Sequence, residues 1–438
     1  MTQSTPHNFR IAIAGLGTVG AGVANLLQRN KALLESRCNA TLSLVAVSAR
    51  TQTPERKTAA GDAEWVNDPL HLATRDDVDI VIETIGGAEG VARELVETAL
   101  RNGKHVITAN KALIARHGIA LSQLAEAHGV QITMEAAVAG GIPILTALRT
   151  GLAANQFRRI AGILNGTCNY ILTTMQHTQR AFVDVLADAQ AKGYAEADPA
   201  FDIDGVDAAH KLAILATLAF GSPVAMDSVH IEGIRSITER DIAYAAELGY
   251  RIRLLGIASA EQHGGDEAIS ARVYPCLVPQ ESPLALTEGV FNAVQVEGDA
   301  VGRIFMQGRG AGADPTASAV VSDIIAIARG ERWPLFTRAS HQLRALPVMP
   351  MAQHHCCYYI RLSVADEPGV LADVTRIFAD EQISVQSIIQ HQHNEATPAQ
   401  VVITTHQTLE ASMQRALTKI GTMNRVKEPP MMLRMEMV

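Results

Sequence analysis

A short apolar strand predicted over 9–14 runs straight into Gly15-Leu16-Gly17-Thr18-Val19-Gly20, and a helical pattern follows over 21–30. Few architectures accept that order. Glycines at the turn let the backbone approach a pyrophosphate, and the N-terminus of the next helix offers amide donors and a favourable dipole. A glycine triplet alone is weak evidence. Placed between a strand and a helix, it has the context that a dinucleotide fingerprint demands. The chain is therefore expected to open as an α/β domain with a doubly wound parallel sheet.

The following segments continue the alternation. Apolar strands are predicted over 42–47, 79–83, 104–108 and 131–134, with a helix over 91–102. The second strand ends at Ser48-Ala49-Arg50, where an acid that would hold a ribose 2′-hydroxyl is missing. Arg50 stands there instead, with Arg56 and Lys57 close behind, and a guanidinium pairs with a 2′-phosphate. NADP is the expected cofactor, with NAD as the alternative. Residues just beyond the carboxyl ends of such strands face the ligand crevice, which directs attention to Lys111 after Thr108-Ala109-Asn110.

A chain of 438 residues holds two or three domains, and 47% hydrophobic with 19% charged residues is an ordinary globular composition. The net charge of -8 argues against nucleic acid as a partner, because that function needs a basic stripe. Five cysteines, Cys38, Cys168, Cys276, Cys356 and Cys357, form neither a disulfide framework nor a metal-binding spacing, so a reducing cytoplasm is expected. His354 and His355 beside the last two cysteines likewise match no standard ligand spacing. The leader MTQSTPHNFR lacks an apolar signal region, and no apolar run is long enough to span a bilayer, so no membrane partner is expected.

The densest chemistry lies in AQAKGYAEADPAFDIDGVDAAHK, from Ala189 to Lys211. Asp207 and Lys211 are four apart on a predicted helix and share a face, while Glu196 sits upstream in a loop. Carboxylates beside a lysine can grip a polar substrate and move a proton, although a solvated acidic loop has the same composition. The DIDGVD stretch is no EF-hand, since the oxygen ladder is incomplete and no closing glutamate follows. The segment resembles the signature of homoserine dehydrogenases: Gly193-Tyr194, then Asp198-Pro199, then Asp202-Ile203, Gly205, Asp207 and Lys211 at fixed spacing.

That resemblance extends to Thr108-Ala109-Asn110-Lys111, to Gly162-Ile163-Leu164-Asn165-Gly166-Thr167, and to the glycine-rich string Gly308 to Thr316. It implies a lysine at the active site in Lys111, and a glycine-rich loop that closes over the nicotinamide. It also implies a monovalent cation, sodium, held by the Glu135 side chain and the carbonyls of Val138, Gly140 and Ile142. Oxygen-only ligation suits such a hard ion. Cys168 falls where the family commonly has Thr or Ser. Asn165 and Thr167 are either substrate-side contacts or loop caps.

Strands predicted over 268–277, 292–297 and 301–307 alternate apolar and polar residues, which suggests an antiparallel sheet with one solvated face. A linker is expected near 343–356, followed by a β-α-β-β-α-β pattern. Its opening string, Asp366 to Ala379, resembles ACT domains, which pair through their sheets and often bind an amino acid; by family analogy the ligand is threonine. No kinase-like segment precedes Gly15, so the form not fused to an aspartokinase is expected.

The expected domains are 1–140 for dinucleotide binding, completed by a helix returning near 313–340, then 141–312 for an α+β catalytic and dimerisation domain, and 357–438 for the ACT module. The expected activity is NADP(H)-dependent interconversion of homoserine and aspartate 4-semialdehyde by a homodimer or homotetramer. Lys211, Lys111 and Asp207 are the expected catalytic groups, with Glu196 and Asp207 on the substrate's ammonium group. Gly15, Gly17, Thr18, Val19, Gly20, Arg50, Thr84, Lys111, Gly193 and Gly312 form the expected cofactor set. The competing expectation is a non-catalytic amino-acid sensor on the same folds.

Overall fold

The computed structural model describes residues 7–263, 266–391 and 398–438. The first sheet contains β1 (Asn8–Ala14), β2 (Thr41–Ser48), β3 (Glu64–Trp65), β4 (Ile80–Glu83), β5 (His105–Thr108) and β6 (Ile132–Thr133). All its pairings are parallel, in the order β3-β2-β1-β4-β5-β6. Helices α1 (Thr18–Arg29), α2 (Val91–Arg101) and α3 (Lys111–Ala127) provide crossovers. Ile11 and Ile13 of β1 join one apolar cluster while Ala12 and Ala14 join another, so the strand is buried on both faces. This is the burial a parallel sheet requires. The strand order reverses between β1 and β4, and a ligand crevice opens at such a switch point.

The second sheet is built from β7 (Phe157–Ile163), β8 (His230–Ile231), β9 (Tyr250–His263), β10 (Asp266–Pro279), β11 (Phe291–Gly298) and β12 (Gly302–Arg309). Helices α4 (Gly166–Thr178), α5 (Val206–Phe220) and α6 (Glu239–Glu247) lie in the same part of the chain. The expectation of one solvated face fails here. β10 is buried along nearly its whole length, because apolar clusters cover both of its faces; the second cluster includes Leu284, Ala285 and the distant Val438. β12, at the sheet edge, stays half-exposed.

Helix α7 (Ala313–Ala328) returns to the first sheet and packs on α1, where Gly22 permits the approach: a Cβ there would sit 3.0 Å from the Ala313 carbonyl oxygen. The helix ends at Ala328, inside the returning segment expected near 313–340. The segment expected to be a linker is partly paired, since Ile269 and Val348 form a parallel bridge and Met349 donates its backbone N–H to Ile269 at 2.8 Å.

The last part contains β13 (His355–Val364), α8 (Val370–Asp380), β14 (Val385–Gln390), β15 (Ala399–Thr405), β16 (Thr408–Leu409), α9 (Glu410–Gly421) and β17 (Met431–Met435). The β-α-β-β-α-β order is as expected, with the sheet order β17-β13-β15-β14. Its attachment is not. β17 pairs in parallel with β10, matching Cys276 to Arg434 and Leu277 to Met435, so the two sheets run on as one.

Candidate active site

Segments far apart in the sequence meet at one cavity of about 510 Å³, which Val19, Lys111, Asn165, Asp207, Lys211 and Gly312 help to line. Val19 comes from the glycine turn. Gly15 has φ +98°, and a Cβ on Gly20 would lie 1.9 Å from the Gly15 carbonyl oxygen, so that close backbone packing admits only glycine. Gly17 is exposed with no heavy atom within 4 Å of a built Cβ, an open approach for a ligand. Thr84 Oγ1 donates to the Gly15 carbonyl at 2.6 Å and so fixes the turn from β4, while Thr18 stays exposed beside it. These features suit a pyrophosphate bound at the N-terminus of α1. Arg50 is exposed two residues beyond β2.

Lys111 opens α3, where the Asn110 side chain accepts the Leu113 N–H at 3.1 Å as an N-cap. Asp207 and Lys211 lie one turn apart at the start of α5, whose entrance needs Gly205 at φ +85°. Asp207 is locked between two cations. Lys211 Nζ donates to its Oδ2 at 2.7 Å, and Lys111 Nζ stands 3.2 Å from its Oδ1. Burial would raise the Asp207 carboxyl, but the Lys211 and Lys111 charges, aided by hydrogen bonds, outweigh it and hold it at about 2. Lys211 also donates to the Leu164 carbonyl at 2.7 Å, leaving one of its three N–H bonds for a ligand.

Asn165 acts as clamp rather than free contact. Its Nδ2 donates to Asp202 Oδ1 and to Asp207 Oδ2, both at 2.8 Å, and its Oδ1 caps α4 through Cys168 N–H, also at 2.8 Å. Thr167 Oγ1 donates to the Tyr194 carbonyl at 2.7 Å, a loop-holding bond. Cys168 is buried and its Sγ contacts the Asp202 carbonyl; burial pushes the thiol well up, in keeping with an inert residue.

Glu196 is not brought into this cluster. It is exposed, and Asp202 from the same acidic segment lines the cavity in its place. Burial, then the Asp207 charge, pushes the Asp202 carboxyl up. Gly193 and Gly312 both line the cavity with positive φ, +72° and +119°.

Sequence reasoning missed Asn292. It is buried on β11, donates Nδ2 to the Leu164 carbonyl at 3.1 Å, and leaves its Oδ1 without a partner among the described residues. Gly310 lies so close that a Cβ there would fall 2.1 Å from the Asn292 amide, which explains a glycine in that loop. Glu83, at the end of β4, was missed as well; it accepts from Thr108 Oγ1 at 2.5 Å and from the Ile85 and Gly86 N–H groups, and so ties two crevice loops together.

Glu135 is buried and accepts from Leu145 N–H at 2.9 Å, Thr146 N–H at 2.7 Å and Thr146 Oγ1 at 2.7 Å. The carbonyls of Val138 and Gly140 accept no hydrogen bond among the described residues, whereas that of Ile142 accepts from Ile144 N–H at 2.7 Å. Positive φ at Ala139 and Gly140 turns this strand of carbonyls, and the donor set is oxygen only. Such a set fits a hard monovalent cation. No cluster of three His, Cys, Asp or Glu side chains suited to a metal occurs among the described residues.

The fold thus brings a dinucleotide turn and two ammonium groups to one cavity, as an NAD(P)-dependent oxidoreductase requires. Family models for "Homoserine dehydrogenase, NAD binding domain", "Homoserine dehydrogenase" and "ACT domain" match residues 15–135, 143–325 and 358–422. The chain belongs to the homoserine dehydrogenase family, in the form that carries a C-terminal ACT domain. It is 45% identical over 432 residues to homoserine dehydrogenase of Neisseria gonorrhoeae, covering 97% of this chain and 98% of the relative. The crystal structure of a homoserine dehydrogenase from Thiobacillus denitrificans superimposes with a TM-score of 0.92 at 43% identity, covering 98% of each chain. A hyperthermophilic archaeal homoserine dehydrogenase in complex with NADPH matches at TM-score 0.63 and 28% identity, over 75% of this chain and 99% of its own.

Proposed function

We propose that this enzyme interconverts L-homoserine and L-aspartate 4-semialdehyde with NADP(H), in the supply of threonine, methionine and isoleucine. The observation that carries the reading is Asp207 held between Lys111 and Lys211 on the wall of a cavity that the glycine turn also lines. The hydride is the contribution of the nicotinamide when it is bound. Lys211 polarises the aldehyde oxygen and delivers a proton as that oxygen becomes a hydroxyl; in the reverse direction it accepts the proton. Asp207 keeps Lys211 oriented, and Lys111 adds a second positive group. Asp207 and Glu196 balance the ammonium group of the substrate, Glu196 after movement of its exposed loop, with Asp202 already in place beside them.

Preference for NADP is supported by Arg50 at the end of β2 and by the NADPH in the archaeal relative's complex. Sodium at Glu135, Val138, Gly140 and Ile142 is supported by the oxygen-only donor set and has a structural role. The domain limits 1–140, 141–312 and 357–438, assembly as a homodimer or homotetramer, and a cytoplasmic setting belong to the same reading. No helix among the described residues is long and apolar enough to cross a membrane. Threonine acts through the ACT module, where the turn before α8 and the first residues of that helix, Asp366 to Ala372, border a cavity of about 250 Å³.

The test is NADPH oxidation with aspartate 4-semialdehyde, with and without threonine. Turnover suppressed by threonine is expected. Turnover indifferent to threonine removes the regulatory part, and no turnover removes the catalytic one.

A further inference from the structure

Two clefts flank the joint between the ACT sheet and the catalytic sheet. One, of about 430 Å³, is bordered by Asp227, His230, Arg272, Met349 and His354. The other, of about 770 Å³, reaches Arg159, Glu261 and Glu436, and shares Arg272, Met349 and His354 with the first. The shared wall is polar although it is buried.

Arg272 is 4% exposed. Its Nε donates to Tyr274 Oη at 2.8 Å and its Nη1 to Ser270, but its Nη2 lies 3.8 Å from the nearest carboxylate oxygen, Glu436 Oε1. His354 is 7% exposed, and its Nε2 has no hydrogen-bond partner among the described residues; it too stands 3.8 Å from Glu436 Oε1. Burial, then the Arg272 charge, pushes this imidazole down to about 4, so it is neutral at pH 7 and donates from Nε2 in one tautomer. The buried His354 Nε2 therefore stands without a hydrogen bond beside a carboxylate that Arg159 and Tyr274 already occupy, each at 2.5 Å, and Arg272 Nη2 is held off the same carboxylate. Buried donors of this kind are paired in native proteins, by protein, water or ligand. The proposed reaction uses none of these groups.

The surroundings point to the ligand's chemistry. A guanidinium and an imidazole N–H suit a carboxylate. Asp227 on one cleft and half-buried Glu261 on the other suit an ammonium group. We infer that this joint is a binding site for a small free α-amino acid, its carboxylate on Arg272 and His354 and its ammonium group balanced by Asp227 or Glu261. The site is separate from the cavity at the ACT loop.

Its position couples it to catalysis. His230 of β8 pairs with Arg272 of β10, and Glu232 donates its N–H to the Val273 carbonyl at 2.8 Å. The next residue, Gly233, is packed so that a Cβ would fall 2.4 Å from the Ile203 carbonyl oxygen, and Ile234 N–H donates to that oxygen at 2.9 Å. Ile203 follows Asp202 directly. An occupant that shifts β8 therefore moves the loop that presents Asp202 to the substrate cavity.

The test is calorimetric titration of the full-length protein, without cofactor, with each proteinogenic L-amino acid and with the methyl ester of any that binds. At least one is expected to bind, with its ester about tenfold weaker. Met349→Trp, which narrows both clefts at the wall they share, is expected to weaken binding about tenfold or more. Ala372→Trp, which fills the ACT-loop cavity, is expected to leave it within about twofold. His354→Phe serves as the second occluding variant should thermal unfolding show Met349→Trp misfolded. Binding that resists occlusion of the clefts, binding lost in Ala372→Trp, or no binding at all overturns the inference.

Discussion

Replacing Lys211 by Ala removes one of the two cations facing Asp207 and the ammonium group hydrogen-bonded to the Leu164 carbonyl. With general acid chemistry lost, kcat is expected to fall on the order of 10²–10⁴-fold. Steady-state rates at saturating substrate measure it, and a near-normal rate would remove Lys211 from the mechanism. A second residue makes a pH-dependent claim. Burial, then the charge of Glu135, pushes Asp323 up to about 7, against the pull of buried Arg149. The unfolded carboxyl ionises near its ordinary value of about 4, so through the interval up to about 7 the native state binds the extra proton. Stability from this group is therefore intact in acid, declines as pH rises through that interval, and is fully lost above it. Asp323→Asn mimics the protonated form. Its melting temperature should exceed that of the parent by more at pH 8 than at pH 5, and an equal difference at both would contradict the assignment.

At the scale of elements, the glycine turn makes the sharpest demand. Gly20→Ala places a methyl group against the Gly15 carbonyl with no flexible neighbour to yield. It is expected to cost about 1–3 kcal/mol and to raise the KM for cofactor. Gly17→Ala meets nothing within 4 Å and should fold normally, so comparing the two melting curves separates crowding from general glycine loss. This turn was legible in the sequence because its determinants are local: a strand, three glycines and a helix within about twenty residues. The helix nevertheless starts at Thr18, inside the motif, because the glycine spacing gives no cap signal. The covered second face of β10 was illegible, since alternation along a strand says nothing about Val438 arriving from the far end of the chain. The parallel pairing of Leu277 with Met435 has no local signature either. Within the site, lysines and Asp207 followed from spacing on one helix and one strand end. The choice of Asp202 over Glu196 was made by a loop, and Asn292 reached the cavity from a strand remote in sequence.

For the whole molecule, shared sheet and shared charges tie the ACT module to the catalytic domain. Arg434 on β17 is 1% exposed, and its guanidinium bonds Glu410 of α9 at 2.6 and 2.9 Å and Glu232 beside β8 at 2.9 Å twice. Arg361 of β13 reaches Asp241 of α6 at 2.7 Å across the same joint. Burial would raise the Glu232 carboxyl, but hydrogen bonds from His230 and Arg434 and the Arg434 charge hold it at about 2. A depressed carboxylate contributes stability above its unfolded value, near 4.5, and loses it as pH falls toward about 2. Arg434→Met leaves Glu232 and Glu410 without their main partner. Removing one member of a buried ionic cluster costs about 3–5 kcal/mol, because the remaining charges stay desolvated. The variant should melt well below the parent at pH 7, and the gap should narrow as the pH is lowered toward 4, where protonation relieves the stranded carboxylates. The substitution acts at the joint while leaving Lys111, Asp207 and Lys211 in place. Probes in the two parts, Trp333 on the catalytic side and a label at exposed Ile388 in β14, therefore report whether the joint makes unfolding cooperative. Coincident transitions in the parent that separate in Arg434→Met are expected; transitions that remain coincident would mean that the β10–β17 pairing alone couples the two parts.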